Sequence, residues 1–339
     1  MKRKKWNTAV GGLLAAAMCC GLCLSGCSSD DTIVLRFADT SVDGEPDAEG
    51  NKYFAQLVEE RTDGRVRVEY YNNGMLGADK IITQAAIVGT LDMAKCSAGN
   101  FTEYSDVLNL TELPGIFQDV AHARRVFQNE EIRTELTEAI REDTGLTVIM
   151  YDIDSGAPRV VGTTSKEVRV PEDMKGLSFR TTGSPLENAL YAHLGVNAVT
   201  VDFSELYTAL QQNLINGIYL QASWIDSSKL QENLDYITPT DVTYAISVKA
   251  MSSDAVEKLG PELLGIVMEC GEEAEAYKDG LWDAWNEEVY ERISESSEIV
   301  KLTEEERALW WESTQVLWDD FVGKSISQEL VDKITALEN

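Results

Sequence analysis

Pro171-Glu-Asp-Met-Lys-Gly-Leu-Ser-Phe-Arg180, continued by Thr181-Thr-Gly-Ser-Pro185, is the stretch on which the reading of this chain turns. Pro171 leads a helix start, a strand runs to Arg180, and a helix follows from Pro185 to Leu194. Downstream, Asp202-Phe-Ser-Glu-Leu-Tyr-Thr-Ala-Leu-Gln-Gln212 has the pattern of another helix. A guanidinium is planar and permanently charged, so at a strand end it can hold a carboxylate through two parallel hydrogen bonds. Taken alone, Arg180 reads as a surface arginine at the end of a strand. The rest of the chain has to decide between the two.

Working outward, residues 32–38 read as a first strand, and Phe54, Leu57 and Val58 are spaced for one buried helix face. Arg65 to Tyr71 alternates as a strand, and Asn73-Gly74 signals a turn. A helix from about Ala78 to Gly89 precedes a short strand, Leu91 to Cys96, and Leu146 to Tyr151 is another buried strand. Strands and helices alternating over short connections predict parallel sheets covered by helices on both faces. A second α/β block runs from about Ser155 to Pro239, and Tyr244 to Met251 returns as a strand to the first. Helix then dominates from Ala255 to Ser294 and from Glu304 to the end. Trp282, Trp285, Trp310, Trp311 and Trp318 lie in this tail; helix-packing core is the expected use, a partner surface the alternative. There is no repeat and no low-complexity segment.

The N-terminus reads Met1-Lys-Arg-Lys-Lys5, then carries no charge from Trp6 to Ser29, with an apolar stretch from Ala9 to Leu24. That is the pattern of an export signal. Its ending, Leu24-Ser-Gly-Cys27, resembles a bacterial lipobox in which Cys27 is lipidated; an uncleaved anchor is the alternative. Either way the remainder is placed outside the cytoplasm. Cys19, Cys20 and Cys23 leave with the signal, and Cys96 and Cys270 are expected as separately buried thiols, although an oxidising compartment would let them pair. The formal charge is −29, and loss of the four basic residues Lys2 to Lys5 takes it to −33. Such a surface excludes nucleic acid and anionic lipid as electrostatic partners. It does not exclude an anionic ligand, because distant surface charges are screened beyond about 8 Å at physiological salt.

Nothing argues for catalysis. The two histidines, His122 and His193, both sit in helical patterns, and no G-x-S-x-G, P-loop, G-x-G-x-x-G or paired Cys-x-x-Cys occurs. No catalytic residue, metal or cofactor is expected.

Read together, several strings resemble one family. In order they are Leu35-Arg-Phe-Ala-Asp39, Gly64-Arg-Val-Arg-Val, Asn73-Gly-Met-Leu-Gly-Ala-Asp79, Gly89-Thr-Leu-Asp-Met93, Leu113-Pro-Gly-Ile-Phe117 and Arg159-Val-Val-Gly-Thr. The Pro171–Arg180 stretch and the Phe203 helix complete the set. Each is weak, but their shared order resembles the extracytoplasmic solute-binding proteins of tripartite (TRAP-type) organic-acid transporters, the DctP-like receptors. The resemblance implies a two-lobed α/β periplasmic-binding-protein fold, class II-like, with crossing hinge strands near 151–155 and 242–247 and a long helix spanning the lobes. The expected partition is 1–26 signal peptide, 27–154 plus 243–284 lobe I, 155–242 plus 310–339 lobe II, and 285–309 a connecting helical segment.

The same resemblance implies that Arg180 holds a ligand carboxylate, that Arg159 supports or joins it, and that Phe203 lines the cleft. From the first lobe it brings Asp39, Ser97 and Asn100 towards the ligand, where capping and turn duty are the rival readings. It implies a membrane permease as partner, a monomer, and a receptor lipid-anchored through Cys27 on the extracytoplasmic face. A ligand-sensing subunit for a membrane kinase and a lipid-anchored enzyme on the same fold are the alternatives. One departure bears on the ligand. Where the family has Asp-Gly-Gln-Glu-Asn-Pro, this chain has Asn216-Gly-Ile-Tyr-Leu-Gln221, so a ligand-binding amide becomes Leu220. With Tyr219 and Trp224 close by in sequence, that change predicts a more apolar cleft and an organic acid with an apolar or aromatic portion, or a small monocarboxylate.

Overall fold

Two long strands organise the molecule. The computed structural model describes residues 32–337; the signal-like stretch 1–26 and Cys27 lie outside the described residues. The first lobe opens with β1 (Ile33–Ala38), α1 (Pro46–Arg61), β2 (Val66–Tyr71), α2 (Asp79–Ile87), β3 (Met93–Ser97) and the single turn α3 (Ala98–Phe101). Helices α4 (Val120–Gln128) and α5 (Glu130–Thr144) follow, N-capped by the Asp119 and Asn129 side chains, and Gly145 at φ 75° closes α5.

Strand β4 (Thr147–Thr163) then runs out of the first lobe into the second, which holds β5 (Ser178–Thr181), α6 (Pro185–His193), β6 (Asn197–Thr200), α7 (Leu206–Gln211), β7 (Gly217–Gln221) and α8 (Ala222–Ser227). Strand β8 (Tyr236–Met251) returns antiparallel to β4 along its whole length. The chain ends with α9 (Ser253–Ile293), the short β9 (Glu298–Ile299), α10 (Glu304–Thr314), α11 (Val316–Phe321) and α12 (Gln328–Thr335). Helix α9 is two helices end to end, because Gly260 at φ 64° breaks it and Pro261 restarts it.

The sheet order is β2-β1-β3-β8-β4-β7-β5-β6, with β9 added on β8. Pairing is parallel within β2-β1-β3 and within β7-β5-β6, and antiparallel through the β3-β8-β4-β7 centre. The expected crossing segments are therefore the middles of two long strands rather than linkers. The β4–β8 register is irregular between Ile153 and Val160, where Ser155 and Gly156 both have φ 57°, and Asp241 opposite has φ 54°. Helices cover both faces, as the alternating pattern predicts. Leu35, Phe37, Phe54, Met93 and Cys270 share a core on one face of the first lobe, and Val160, Leu206, Ile218 and Leu220 share one in the second. A larger core that includes Cys96, Phe127, Tyr151, Phe179, Tyr191 and Trp310 joins the two.

Cys96 and Cys270 are unpaired and buried in different cores, as separate thiols. Trp282 and Trp310 are fully buried, and Trp285, Trp311 and Trp318 partly so, which makes the tryptophan tail packing rather than surface. His122 is also structural: its Nδ1 accepts the Gln118 N–H at 3.2 Å and its Nε2 lies 3.1 Å from the Ile334 carbonyl. The tail divides differently from the expected 310–339 assignment. Helices α10 and α11 lie against β8 and α6, but α12 packs on α5 of the first lobe, where Lys333 pairs with Glu131 and Glu135 at 3.0 and 2.8 Å. The reason is the amphipathic pattern of α12, whose Leu330, Val331 and Ile334 need an apolar partner that α5 supplies. No helix among the described residues is long and apolar enough to cross a membrane.

Candidate functional site

The parallel strands of both lobes point their carboxyl ends at one cavity. Thr40 and Ser41 follow β1, Ser97 and Asn100 close β3, Thr182 follows β5, Phe203 follows β6, and Trp224 follows β7; all line it. This is where open α/β sheets place ligands, because loops and helix starts converge there. The enclosed space is ≈ 40 Å³, several times the ~10–15 Å³ that one water needs on the same measure. The lobes meet closely around it. A Cβ at Gly99 would stand 2.7 Å from Thr182 Oγ1 and 2.8 Å from Glu112 Oε1, so only glycine lets α3 approach the end of β5 this far.

Arg180 reaches the cavity with its guanidinium uncommitted. Its Nε donates to the Val201 carbonyl at 3.0 Å, which aims the fork, and only 7% of the residue is exposed. Among the described residues no carboxylate pairs with it, and its terminal nitrogens donate to no protein acceptor. Arg159 lines the same cavity but is committed: its Nη1 lies 3.2 Å from Glu187 Oε1 and its Nη2 3.4 Å from Glu112 Oε1, with the Tyr219 ring 5.9 Å from its guanidinium. Burial alone would raise the Glu187 carboxyl, but Arg159, Arg180 and the Thr182 N–H together hold it below its ordinary range. Glu112 also accepts from Ser184 and stays raised, by burial first, because Glu187 opposes the help it gets from Arg159. Arg159 thus organises the wall behind Arg180.

Phe203, Leu220, Ser97 and Asn100 line the cavity. The Asn100 Nδ2 donates to Asp79 and to Ser97 Oγ at 3.1 and 3.0 Å. Two expected residues face elsewhere. Asp39 is buried beneath α1, accepting from Ser41 Oγ, Asn51 Nδ2 and Tyr70 OH at 2.7 to 2.8 Å. Tyr219 sits on the opposite side of β7 from Leu220, packing behind Arg159 with its hydroxyl accepting from Thr243 at 3.0 Å. Successive strand residues point to opposite faces, which puts Tyr219 against the core shared by the lobes and Leu220 on the cavity side.

The main group that sequence reasoning misses is a buried network of charges in the first-lobe wall. Lys95 Nζ lies 3.1, 3.2 and 3.3 Å from Asp47, Asp152 and Asp154, and 5.4 Å from the centre of the Trp224 ring. Lys249 pairs with Asp152 and Glu275 at 3.3 Å, and Lys278 pairs with the same two carboxylates. A lysine inside the apolar strand Leu91 to Cys96 was the available signal, since a buried lysine has to be paired.

This network predicts an unusual pH profile. Burial pushes the carboxyl of Glu45 up to about 8, that of Glu275 to about 7 and that of Asp154 to about 6. Their ordinary values are 4.5, 4.5 and 3.8, so between those values and the raised ones the folded chain holds protons that the unfolded chain has released. Stability then falls as pH rises through that window. Asp152 acts oppositely: despite burial, Lys249, Lys278 and Lys95 hold it well below its ordinary 3.8, so its contribution is lost only in stronger acid. Melting temperatures measured without ligand from pH 3 to 9 should peak near about pH 5 and decline towards pH 8. A maximum at pH 8 would contradict the burial of these carboxyls.

Comparison with known proteins gives the class. The model of the bacterial extracellular solute-binding protein family 7 (DctP) matches residues 37–325, and the chain belongs to that family. Its members are solute-binding receptors rather than enzymes, which agrees with the absence of catalytic motifs. The chain is 28% identical to the 2,3-diketo-L-gulonate-binding periplasmic protein of Escherichia coli K12, over 77% of this chain and 78% of that protein. It is 26% identical to the C4-dicarboxylate-binding periplasmic protein DctP of Rhodobacter capsulatus, over 96% and 97%. A TRAP periplasmic solute-binding protein from Sulfurospirillum deleyianum, solved with bound succinate, superposes with a TM-score of 0.83 at 26% identity, covering 90% of this chain and 99% of that one. One from Xanthobacter autotrophicus with bound β-D-galacturonate superposes at 0.82 and 25% identity, covering 89% and 98%.

Proposed function

We propose that this protein captures a small organic acid between its lobes through Arg180 and delivers it to a TRAP-type membrane permease. The observation that carries this reading is a buried arginine, aimed by its own Nε and lining the cavity, with which no carboxylate among the described residues forms a salt bridge. A guanidinium left uncommitted in such a place is a site for a carboxylate supplied from outside. Relatives with bound succinate and galacturonate support the ligand class. The Phe203 and Trp224 rings, edge to face at 5.3 Å, and Leu220 beside them favour a ligand with an apolar portion over a polyhydroxylated sugar acid. A sugar hydroxyl left facing Leu220 would cost about 1–3 kcal/mol. Closure occurs about the irregular middle of β4 and β8, with α9 pivoting across it, and lipid on Cys27 keeps the receptor at the membrane.

A thermal-shift screen of the purified protein against monocarboxylates, dicarboxylates and sugar acids tests this. A ligand at 100 times its dissociation constant adds about 2.7 kcal/mol, which moves the melting point by several degrees. Small carboxylates with an apolar portion should give the largest shifts. A cooperative melt that no carboxylate moves would overturn the reading.

A further inference from the structure

The cavity has two walls of opposite electrical character. The second lobe contributes Arg180, open to a carboxylate. The first lobe contributes Glu45, 3% exposed and lining the same space. Glu45 Oε1 accepts the Val42 N–H at 2.8 Å, whereas Oε2 is sealed from bulk water with no partner that meets hydrogen-bond geometry. Behind it lies a surplus of acid. Asp39, Glu45, Asp47, Asp152, Asp154 and Glu275 lie about Lys95, Lys249 and Lys278, and Asp279, shared with Arg124, also reaches Lys278 at 3.5 Å. Each of those lysines already has two or more carboxylate neighbours within 3.3 Å, although Lys95 Nζ, which also lines the cavity, meets hydrogen-bond geometry with none of them. A protonated ligand nitrogen at this wall would find carboxyl oxygens to accept from it, and an ion pair formed there is strengthened by the dry site.

We propose that the natural ligand is a small zwitterion, whose carboxylate is held by Arg180 and whose protonated nitrogen donates to Glu45 Oε2. This rests on the Arg180 reading above and adds the second pole. It also implies a released proton. Burial, then Asp47, pushes the Glu45 carboxyl up to about 8, with Lys95 and the Ser227 hydroxyl opposing, so at pH 7 it is protonated until a ligand cation displaces the proton.

The test is calorimetric titration at pH 7 with common α-amino acids and the ω-amino acids from glycine to 6-aminohexanoate. Each ω-amino acid is compared with the alkanoate that carries a methyl group in place of its ammonium, and with the dicarboxylate of matching length. At least one amino acid should bind about tenfold or more tightly than both of its counterparts. In buffers of different ionisation enthalpy its binding should release a proton. Glu45→Gln should remove both the preference and the release. Dicarboxylates or alkanoates binding as tightly as the amino acids, a zwitterion bound without proton release, or an unchanged preference in Glu45→Gln would overturn the proposal and leave the Arg180 reading standing. Failure of every carboxylate to bind would overturn both.

Discussion

Arg180→Ala is expected to weaken ligand binding by roughly thirty-fold to several thousand-fold, the 2–5 kcal/mol that follows when one partner of a buried, hydrogen-bonded charge pair is removed. The loss falls on binding because, among the described residues, the Arg180 guanidinium makes a single hydrogen bond, from Nε to the Val201 carbonyl. Folding should suffer less, although Arg180 also helps to keep Glu187 ionised. Arg180→Lys separates charge from shape: it restores a cation but not the planar fork, and should recover only part of the affinity. Arg159→Ala should behave differently, since it leaves the buried Glu112 and Glu187 without their common partner and so lowers stability as well as affinity. Calorimetric titration with the best ligand from the screen, alongside melting curves without ligand, separates these outcomes. Wild-type affinity in Arg180→Ala would remove the basis of the carboxylate clamp.

Asp152→Ala carries the largest expected cost to folding. Asp152 is fully buried on β4, and Lys95, Lys249 and Lys278 all pair with it. Its removal leaves three buried ammonium groups sharing the remaining acids, and breaking a buried ionic cluster in this way costs about 3–5 kcal/mol. For a chain of this size that is on the order of 5–10 °C in melting temperature. Asp152→Asn keeps the shape and two hydrogen-bonding atoms, so it should fall between the variant and the wild type. A change under about 1 °C in Asp152→Ala would show that the three lysines are not held through this carboxylate.

The network's position explains why such a costly arrangement is tolerated. Its members come from α1, β3, β4, β8 and α9, the elements that meet where the two lobes join. Apolar residues of similar volume could stabilise the junction as well or better. They would not fix the relative placement of five elements by matched charges, nor leave a surplus of acid at the cavity wall.

Local pattern by itself determined the α/β class, the opening alternation of strands and helices up to Cys96, the stop of a strand at Arg180 and the helix start at Pro185, and it favoured separate burial of Cys96 and Cys270. These follow from apolar periodicity and from proline, which act over a few residues and are written in adjacent positions. The period-two rule also held the answer for Tyr219 and Leu220, since neighbours on a strand face opposite ways. Only the tertiary structure decided that Arg159 is spent on Glu112 and Glu187, that Asp39 supports α1 instead of the ligand, that α12 returns to the first lobe, and that Lys95 meets Asp47, Asp152 and Asp154. Those pairs join segments far apart along the chain. Whether an arginine is free or committed depends on which carboxylates folding brings within about 4 Å, and no local pattern of residues encodes that distance.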